Sequence, residues 1–161
     1  MHSFIQKYLF KIILLISFSA LISAYFIEHI LGHQPCNLCL LERIPYFFAI
    51  IIIILNLKFN HLQKFFTFLL IIVFFVSTLL SLYHLGIEQG IIKESLVCSL
   101  QNGSVDLSKE EILKQLQQKH VSCKDVTFKI FGLSLTMFNT FISCLITIIL
   151  VKMYFEYDKN K

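Results

Sequence analysis

Residues 65–87 read FFTFLLIIVFFVSTLLSLYHLGI, a stretch of 23 positions without a single Asp, Glu, Lys or Arg. Crossing ~30 Å of hydrocarbon as a helix takes about 20 such residues. Phe, Ile and Val favour strands in water, but lipid offers the backbone no partners, so a self-bonded helix prevails over an open strand. Working outward, residues 130–151 (IFGLSLTMFNTFISCLITIILV) form another full-length run. Residues 12–27 (IILLISFSALISAYFI) fall short unless the helix starts near Tyr8 and Lys11 snorkels outward. A basic start before an apolar run also outlines a signal peptide. Here the run is long and its Ser-Ala pairs are a weak cleavage signal, so a retained span is expected. Residues 44–57 hold only 14 uncharged positions, about 21 Å of helix. That span must begin earlier, near Leu38 to Leu40, drawing Glu42 and Arg43 into its first turns and setting Cys39 and Arg43 at the membrane surface.

The expected fold is therefore an all-α integral membrane protein, a bundle of four transmembrane helices over about 8–27, 39–57, 65–87 and 130–151, forming a single domain over 1–161. Composition agrees: 57% of residues are hydrophobic, 15% are charged, and mean hydropathy is +0.75. Soluble domains are roughly 45–50% apolar and about 25% charged, so too few charges remain here to coat a soluble globule of this size. Disorder, a collagen-like repeat and a soluble disulfide scaffold are excluded. The net charge of +4 is too small and too scattered for a nucleic-acid binder. It does orient the chain. The termini and the 58–64 loop carry Lys7, Lys11, Lys58, Lys64, Lys152, Lys159 and Lys161 against Glu156 and Asp158, whereas residues 28–43 and 88–129 carry seven basic against eight acidic residues. By the positive-inside rule both termini are cytoplasmic.

Four of the five cysteines then fall outside the cytoplasm: Cys36 and Cys39 in a first outer loop (28–38, running into the second span), and Cys98 and Cys123 in a second (88–129). Cysteines on that side commonly pair as disulfides. Cys144, in the middle of the fourth run, reads as a small apolar packing residue. The second loop is long for a compact membrane protein. Gln101 to Ser104 (QNGS) reads as a turn. Ser108 and Glu111 match a capping box, followed by Ile112, Leu113 and Leu116 on one face, which predicts a short amphipathic helix near the bilayer surface.

The densest chemistry lies in residues 34–43, QPCNLCLLER. A C-x-x-C at a helix start brings two sulfurs within reach of an exchangeable disulfide, and the exposed N–H groups and helix dipole favour a thiolate. Pro35 stops the helix from extending upstream. Arg43 lies four residues after Cys39, on the same face, where its cation favours a thiolate or holds an oxygen ligand. Plainer readings stand beside this one. The motif is half of a zinc site, although Cys98 and Cys123 are too far apart in sequence to supply the usual second close pair. The four cysteines also suit two structural disulfides in a non-enzymatic scaffold, and Arg43 suits an interfacial anchor. Glu42 reads as a partner for a lysine or for headgroups, and His29 and His33 as solvated loop histidines.

Four spans, P-C-x-x-C-x-x-x-R (35–43) opening the second, and two further outer cysteines resemble the disulfide bond formation protein B (DsbB) family, including its DsbI-type oxidoreductases. Tyr83-His84-x-Gly86-x-Glu88 at the outer end of the third span, and Phe131-Gly132-Leu133-Ser134 followed by Asn139, support the resemblance over residues 8–152. It implies a protein-disulfide oxidoreductase of the bacterial inner membrane. A periplasmic thiol oxidase of the DsbA type would attack Cys98; Cys123, released, would engage the Cys36/Cys39 pair; and the electrons would leave through Cys39 to ubiquinone or menaquinone. Arg43 would hold the quinone and stabilise charge developing on its oxygen, with His84 as a second ligand or proton donor. The competing reading of His84 and Glu88 is a plain i,i+4 pair at the lipid interface. Residues 131–134 are expected to set re-entry into the bilayer, with Gly132 allowing close approach. Where many relatives carry Trp, this chain has Thr127-Phe128 and Phe138, and no Trp at all. A dedicated periplasmic partner, as in the DsbI type, is the alternative to DsbA.

Overall fold

The computed structural model describes residues 2–93, 123, 129–130 and 132–159. Cys98, the expected turn at 101–104, the amphipathic helix after Ser108, and Thr127-Phe128 lie outside the described residues. In chain order come α1 (His2–His29), α2 (Asn37–Leu41), α3 (Arg43–Lys58), a 3₁₀ turn (Asn60–Leu62), α4 (Gln63–Glu88), a two-stranded hairpin of β1 (Lys129–Ile130) and β2 (Leu133–Ser134), and α5 (Leu135–Lys159). Four stretches are long and apolar enough to cross a membrane: Tyr8–His29, Asn37–Lys58, Gln63–Glu88 and Leu135–Glu156.

The second of these begins at Asn37, which makes up the length that residues 44–57 lack. It is interrupted at Glu42, where α2 gives way to α3. Pro45 accounts for the break: it has no N–H to offer the carbonyl four residues earlier, at Leu41, and its ring crowds that carbonyl, yet it is tolerated in the first turn of a new helix. Glu42 itself keeps helical angles (φ −66°, ψ −18°), so Cys39 and Arg43 lie about one turn apart along the one span Asn37–Lys58, as expected.

The fourth helix starts at Leu135, five positions after the apolar run starts. Ser134 Oγ accepts a hydrogen bond from the Met137 N–H at 3.2 Å and so caps α5. Just upstream Gly132, with φ of +82°, turns the chain so that Lys129 pairs with Ser134 and Ile130 with Leu133. A Cβ on Gly132 would meet nothing within 4 Å among the described residues. The glycine is required for its left-handed backbone.

The spans pack α1 on α3, α3 on α4, and most extensively α4 on α5. Their burial is inside-out. Phe18, Phe47, Phe75 and Phe141 face outward, whereas Ser17, Ser77, Ser81 and Ser143 are fully buried. Water would oppose that distribution; lipid, which is as apolar as the outward side chains, does not. Cys144 also faces outward and so is not the packing residue expected of it. The apolar centre is built by Phe10, Ile13, Tyr46, Ala49, Ile53, Leu70, Phe74, Ile146 and Leu150, with Phe74 edge-on to Tyr46.

Small serines let α4 and α5 approach closely, with Ser77 Oγ 3.2 Å from Ser143 Oγ. Ser77→Leu should overpack this seam and destabilise the bundle by about 1–3 kcal/mol. Leu79→Ala on the outward face should stay within about 0.5 kcal/mol. Thermal unfolding in detergent checks both; equal midpoints for the two variants would contradict the tight seam.

Candidate functional site

The Pro45 break and the Ser134 cap bring four elements together at one end of the bundle. Cys36 is the N-cap of α2, and its sulfur accepts a hydrogen bond from the Cys39 N–H at 3.3 Å. One turn of helix returns Cys39 beside it, with the two Sγ atoms 2.7 Å apart. That is closer than non-bonded sulfurs rest, and a short approach from the ~2.05 Å of an S–S bond. Both are free thiols. Cys36 is buried and Cys39 half-buried.

His84, near the C-terminal end of α4 and 1% exposed, faces this pair. Its Nε2 lies 3.5 Å from Cys36 Sγ, and its Nδ1 lies 2.9 Å from Glu42 Oε1. Glu42, 8% exposed, accepts a second hydrogen bond on Oε2 from Asn139 Nδ2 of α5 at 2.9 Å. Asn139 Oδ1 in turn accepts from Tyr46 OH, which also contacts Ser143 Oγ at 3.1 Å. Glu42 is thus no partner for a lysine or for headgroups. It falls on the same helical face as buried Leu38, Tyr46, Ala49 and Ile53 and so points inward, where a carboxylate needs every oxygen satisfied. The carboxylate accepts at Oε1, so Nδ1 carries a proton and Nε2 is left to exchange one with Cys36.

His84 and Glu88 do not form a plain pair at the lipid interface either. Glu88 Oε1 is 4.0 Å from His84 Nε2, but the carboxylate is held mainly by α5: Thr136 Oγ1 and Ser134 Oγ each donate to it at 2.6 Å. The C-terminal end of α4 is thereby tied to the first turn of α5.

Cys123 is buried and disulfide-bonded, and it packs in one apolar cluster with Cys36, Leu38 and Ile87. A disulfide sulfur and a free dithiol, far apart in sequence, therefore share one enclosure. Arg43 turns to the first span, where its guanidinium pairs with Glu28 Oε2 at 2.5 Å and lies 5.1 Å from the centre of the Tyr25 ring. His29 contacts its own helix through the Tyr25 carbonyl. Of the expected residues, Cys36, Cys39, Cys123 and His84 converge, Arg43 flanks them, and Cys98 lies outside the described residues. Glu42 and Asn139 were not expected in the network. Their signal was there to be read, since a carboxylate and an amide inside membrane spans each need a named partner.

The family model described as "Disulfide bond formation protein DsbB" covers residues 6–153. The chain belongs to the DsbB family. It is 33% identical to an uncharacterised protein of Rickettsia prowazekii (strain Madrid E) over 157 residues, 96% of this chain and 91% of that one. No solved structure matches it. Membership makes it a multi-pass membrane protein-disulfide oxidoreductase.

Such chemistry needs a thiolate, and the site favours one at Cys36. The Cys39 thiol donating to its sulfur holds the Cys36 thiol down to about 5, with His84 and the Cys39 N–H adding to the effect against the opposing influence of burial. Lowering pH through that value protonates the sulfur, so alkylation of reduced Cys36 should be nearly flat from about pH 8 to 6 and fall below about 5, whereas an ordinary thiol loses about tenfold per unit below 8. Cys39→Ala should move the midpoint upward further than His84→Ala. Mass spectrometry of the labelled Cys36 peptide across pH checks this, and a tenfold-per-unit fall between pH 8 and 6 in the unmodified protein would contradict it.

Proposed function

We propose that this DsbB-family protein reoxidises a periplasmic, thioredoxin-like thiol oxidase of the DsbA type and passes the electrons to a membrane quinone, ubiquinone or menaquinone. Its place is the bacterial inner membrane, with both termini cytoplasmic. The observation that carries the reading is the packing of disulfide-bonded Cys123 against the free Cys36/Cys39 pair.

On this reading a partner thiolate attacks Cys98; the bond from Cys98 to Cys123 breaks, and Cys123 leaves as a thiolate. The partner's second thiol then displaces Cys98, so the partner departs oxidised and both loop cysteines are reduced. Their two electrons next reduce a Cys36–Cys39 disulfide. Cys123 attacks Cys36, its neighbour in the cluster, and Cys39 leaves. Cys98 completes the exchange by displacing Cys36 from Cys123. The thiol protons pass to solvent or to the buried acid–base groups, with His84 Nε2 in reach of Cys36.

The residues present fit a lipid-soluble acceptor. Cys39 is half-buried, and Leu40 and Ile44 beside it face outward, so this side of the dithiol opens toward lipid. A quinone supplies the two-electron sink. Arg43, four residues from Cys39, supplies a cation for negative charge on an acceptor oxygen; its present pairing with Glu28 holds the guanidinium at that edge. His84 and Glu42 hold a proton on the opposite side of the pair.

Two variants test the route. With a purified dithiol partner and a soluble quinone, Cys39→Ser should drop to the uncatalysed background, and full turnover in that variant would end the proposal. Arg43→Ala should raise the apparent quinone KM about tenfold, or about 1.4 kcal/mol, without changing the KM for the protein partner. Equal effects on both would remove Arg43 from the acceptor site.

A further inference from the structure

Cys36 Sγ, Cys39 Sγ and His84 Nε2 all lie within 4.8 Å of one another. Their arrangement does more than disulfide exchange requires. Zinc-type ions take sulfur at about 2.3 Å and imidazole nitrogen at about 2.0–2.1 Å in a tetrahedron, which puts sulfur and nitrogen roughly 3.5 Å apart along an edge. Cys36 Sγ and His84 Nε2 stand at 3.5 Å. The two sulfurs, at 2.7 Å, need to open by about 1 Å to span a second edge, and the third, from Cys39 Sγ to His84 Nε2, is no longer than 4.8 Å.

The surroundings of the histidine point the same way. A metal-bound imidazole almost always donates its other N–H to a carboxylate or carbonyl, which fixes the ring and raises its basicity. Here Nδ1 is engaged by Glu42 at 2.9 Å, and Glu42 is itself fixed by Asn139. The free nitrogen is therefore the one turned to the sulfurs. Glu88 does not belong to the compact set and is already held by Ser134 and Thr136, so a fourth position falls to water. Charge also fits: two thiolates balance a divalent ion, leaving the complex neutral at the edge of a low-dielectric bilayer.

We propose that the reduced Cys36/Cys39 pair, with His84, binds a thiophilic divalent cation of the zinc type, and that occupancy excludes the disulfide. Binding forms two metal–sulfur bonds and one metal–nitrogen bond and sends the thiol protons to solvent; no electrons move. An S–S bond consumes both thiolates, so only the dithiol form takes the ion. The site stands on geometry alone. Its consequence, a metal brake on disulfide generation, rests on the reading of the preceding subsection.

The test uses the full chain in detergent, reduced with a phosphine and titrated with Zn²⁺ against a chromophoric chelator. The reduced protein should bind one equivalent at this site, and the same protein oxidised at Cys36/Cys39 should bind none there. Cys36→Ser and His84→Gln should each weaken binding at least tenfold. Glu42→Gln, acting through His84, should weaken it about 10–100-fold. A Cys98→Ser/Cys123→Ser variant should keep the equivalent. X-ray absorption of the zinc-loaded unmodified protein needs no variant to fold: it should give two sulfur and two nitrogen or oxygen neighbours. A four-sulfur shell, no binding by the reduced form, or indifference to His84 would overturn the site. Turnover measured with chelator present tests the oxidoreductase route separately, so a protein that binds zinc but fails to turn over loses only that route.

Discussion

Everything at the cysteine end of the bundle depends on burying Glu42. A carboxylate withdrawn from water costs several kcal/mol unless its oxygens are taken up by donors, and within a membrane span no solvent supplies them. His84 Nδ1 takes one oxygen and Asn139 Nδ2 the other, so one side chain on the second span fixes residues on the third and fourth. Hydrogen bonds to a charged group contribute roughly 1.5–3 kcal/mol each. The chain continues from Asn139 through Tyr46 to Ser143 and Ser77, and crosses the α4–α5 seam again. Removing any one partner leaves a buried polar group with no water to replace it.

This constraint also decides what the histidine can do. With Nδ1 committed to Glu42, the ring can neither flip nor exchange tautomers without leaving a carboxylate oxygen bare. Nε2 is then fixed toward Cys36, where it serves a thiolate, a thiol proton or a metal ion with the same lone pair or N–H. Glu88 adds rigidity from the other side, since Ser134 both caps α5 and donates to Glu88. One hydroxyl thus sets where the fourth helix begins and how closely it meets the third.

The four spans were legible because lipid imposes a length on apolar runs, and run length can be counted. The short second run even showed that its helix must begin among the cysteines. Finer features depended on single residues whose meaning is tertiary. The fourth run starts at Ile130 in sequence, but Gly132 and Ser134 delay the helix to Leu135. Glu42 stands at the start of the span beside Arg43, where a charge suits the surface; its place on one helical face with Leu38, Tyr46, Ala49 and Ile53 turns it inward. Cys144 lies in an apolar run on either face of a helix, and a period of 3.6 residues alone does not tell lipid from protein when both are apolar. The C-x-x-C motif and His84 were visible, whereas the carboxylate joining them was visible only as an anomaly.

The two sulfurs of the motif have unlike surroundings, and the proposed relay needs that difference. Cys36 is enclosed by Leu38, Ile87 and Cys123, with His84 against it, while Cys39 is half-buried where Leu40 and Ile44 open toward lipid. Disulfide exchange delivers electrons from a protein sulfur, which must be held close and dry. Transfer to a lipid-soluble acceptor needs an open flank and a nearby cation. A single exposed dithiol would meet the second demand and leave the first to chance collision; a fully buried one would do the reverse. Placing the motif where the second span leaves the bilayer gives one sulfur to each environment. The same placement leaves both sulfurs and one imidazole nitrogen converging whenever the disulfide is open, and that is the state in which a thiophilic ion competes.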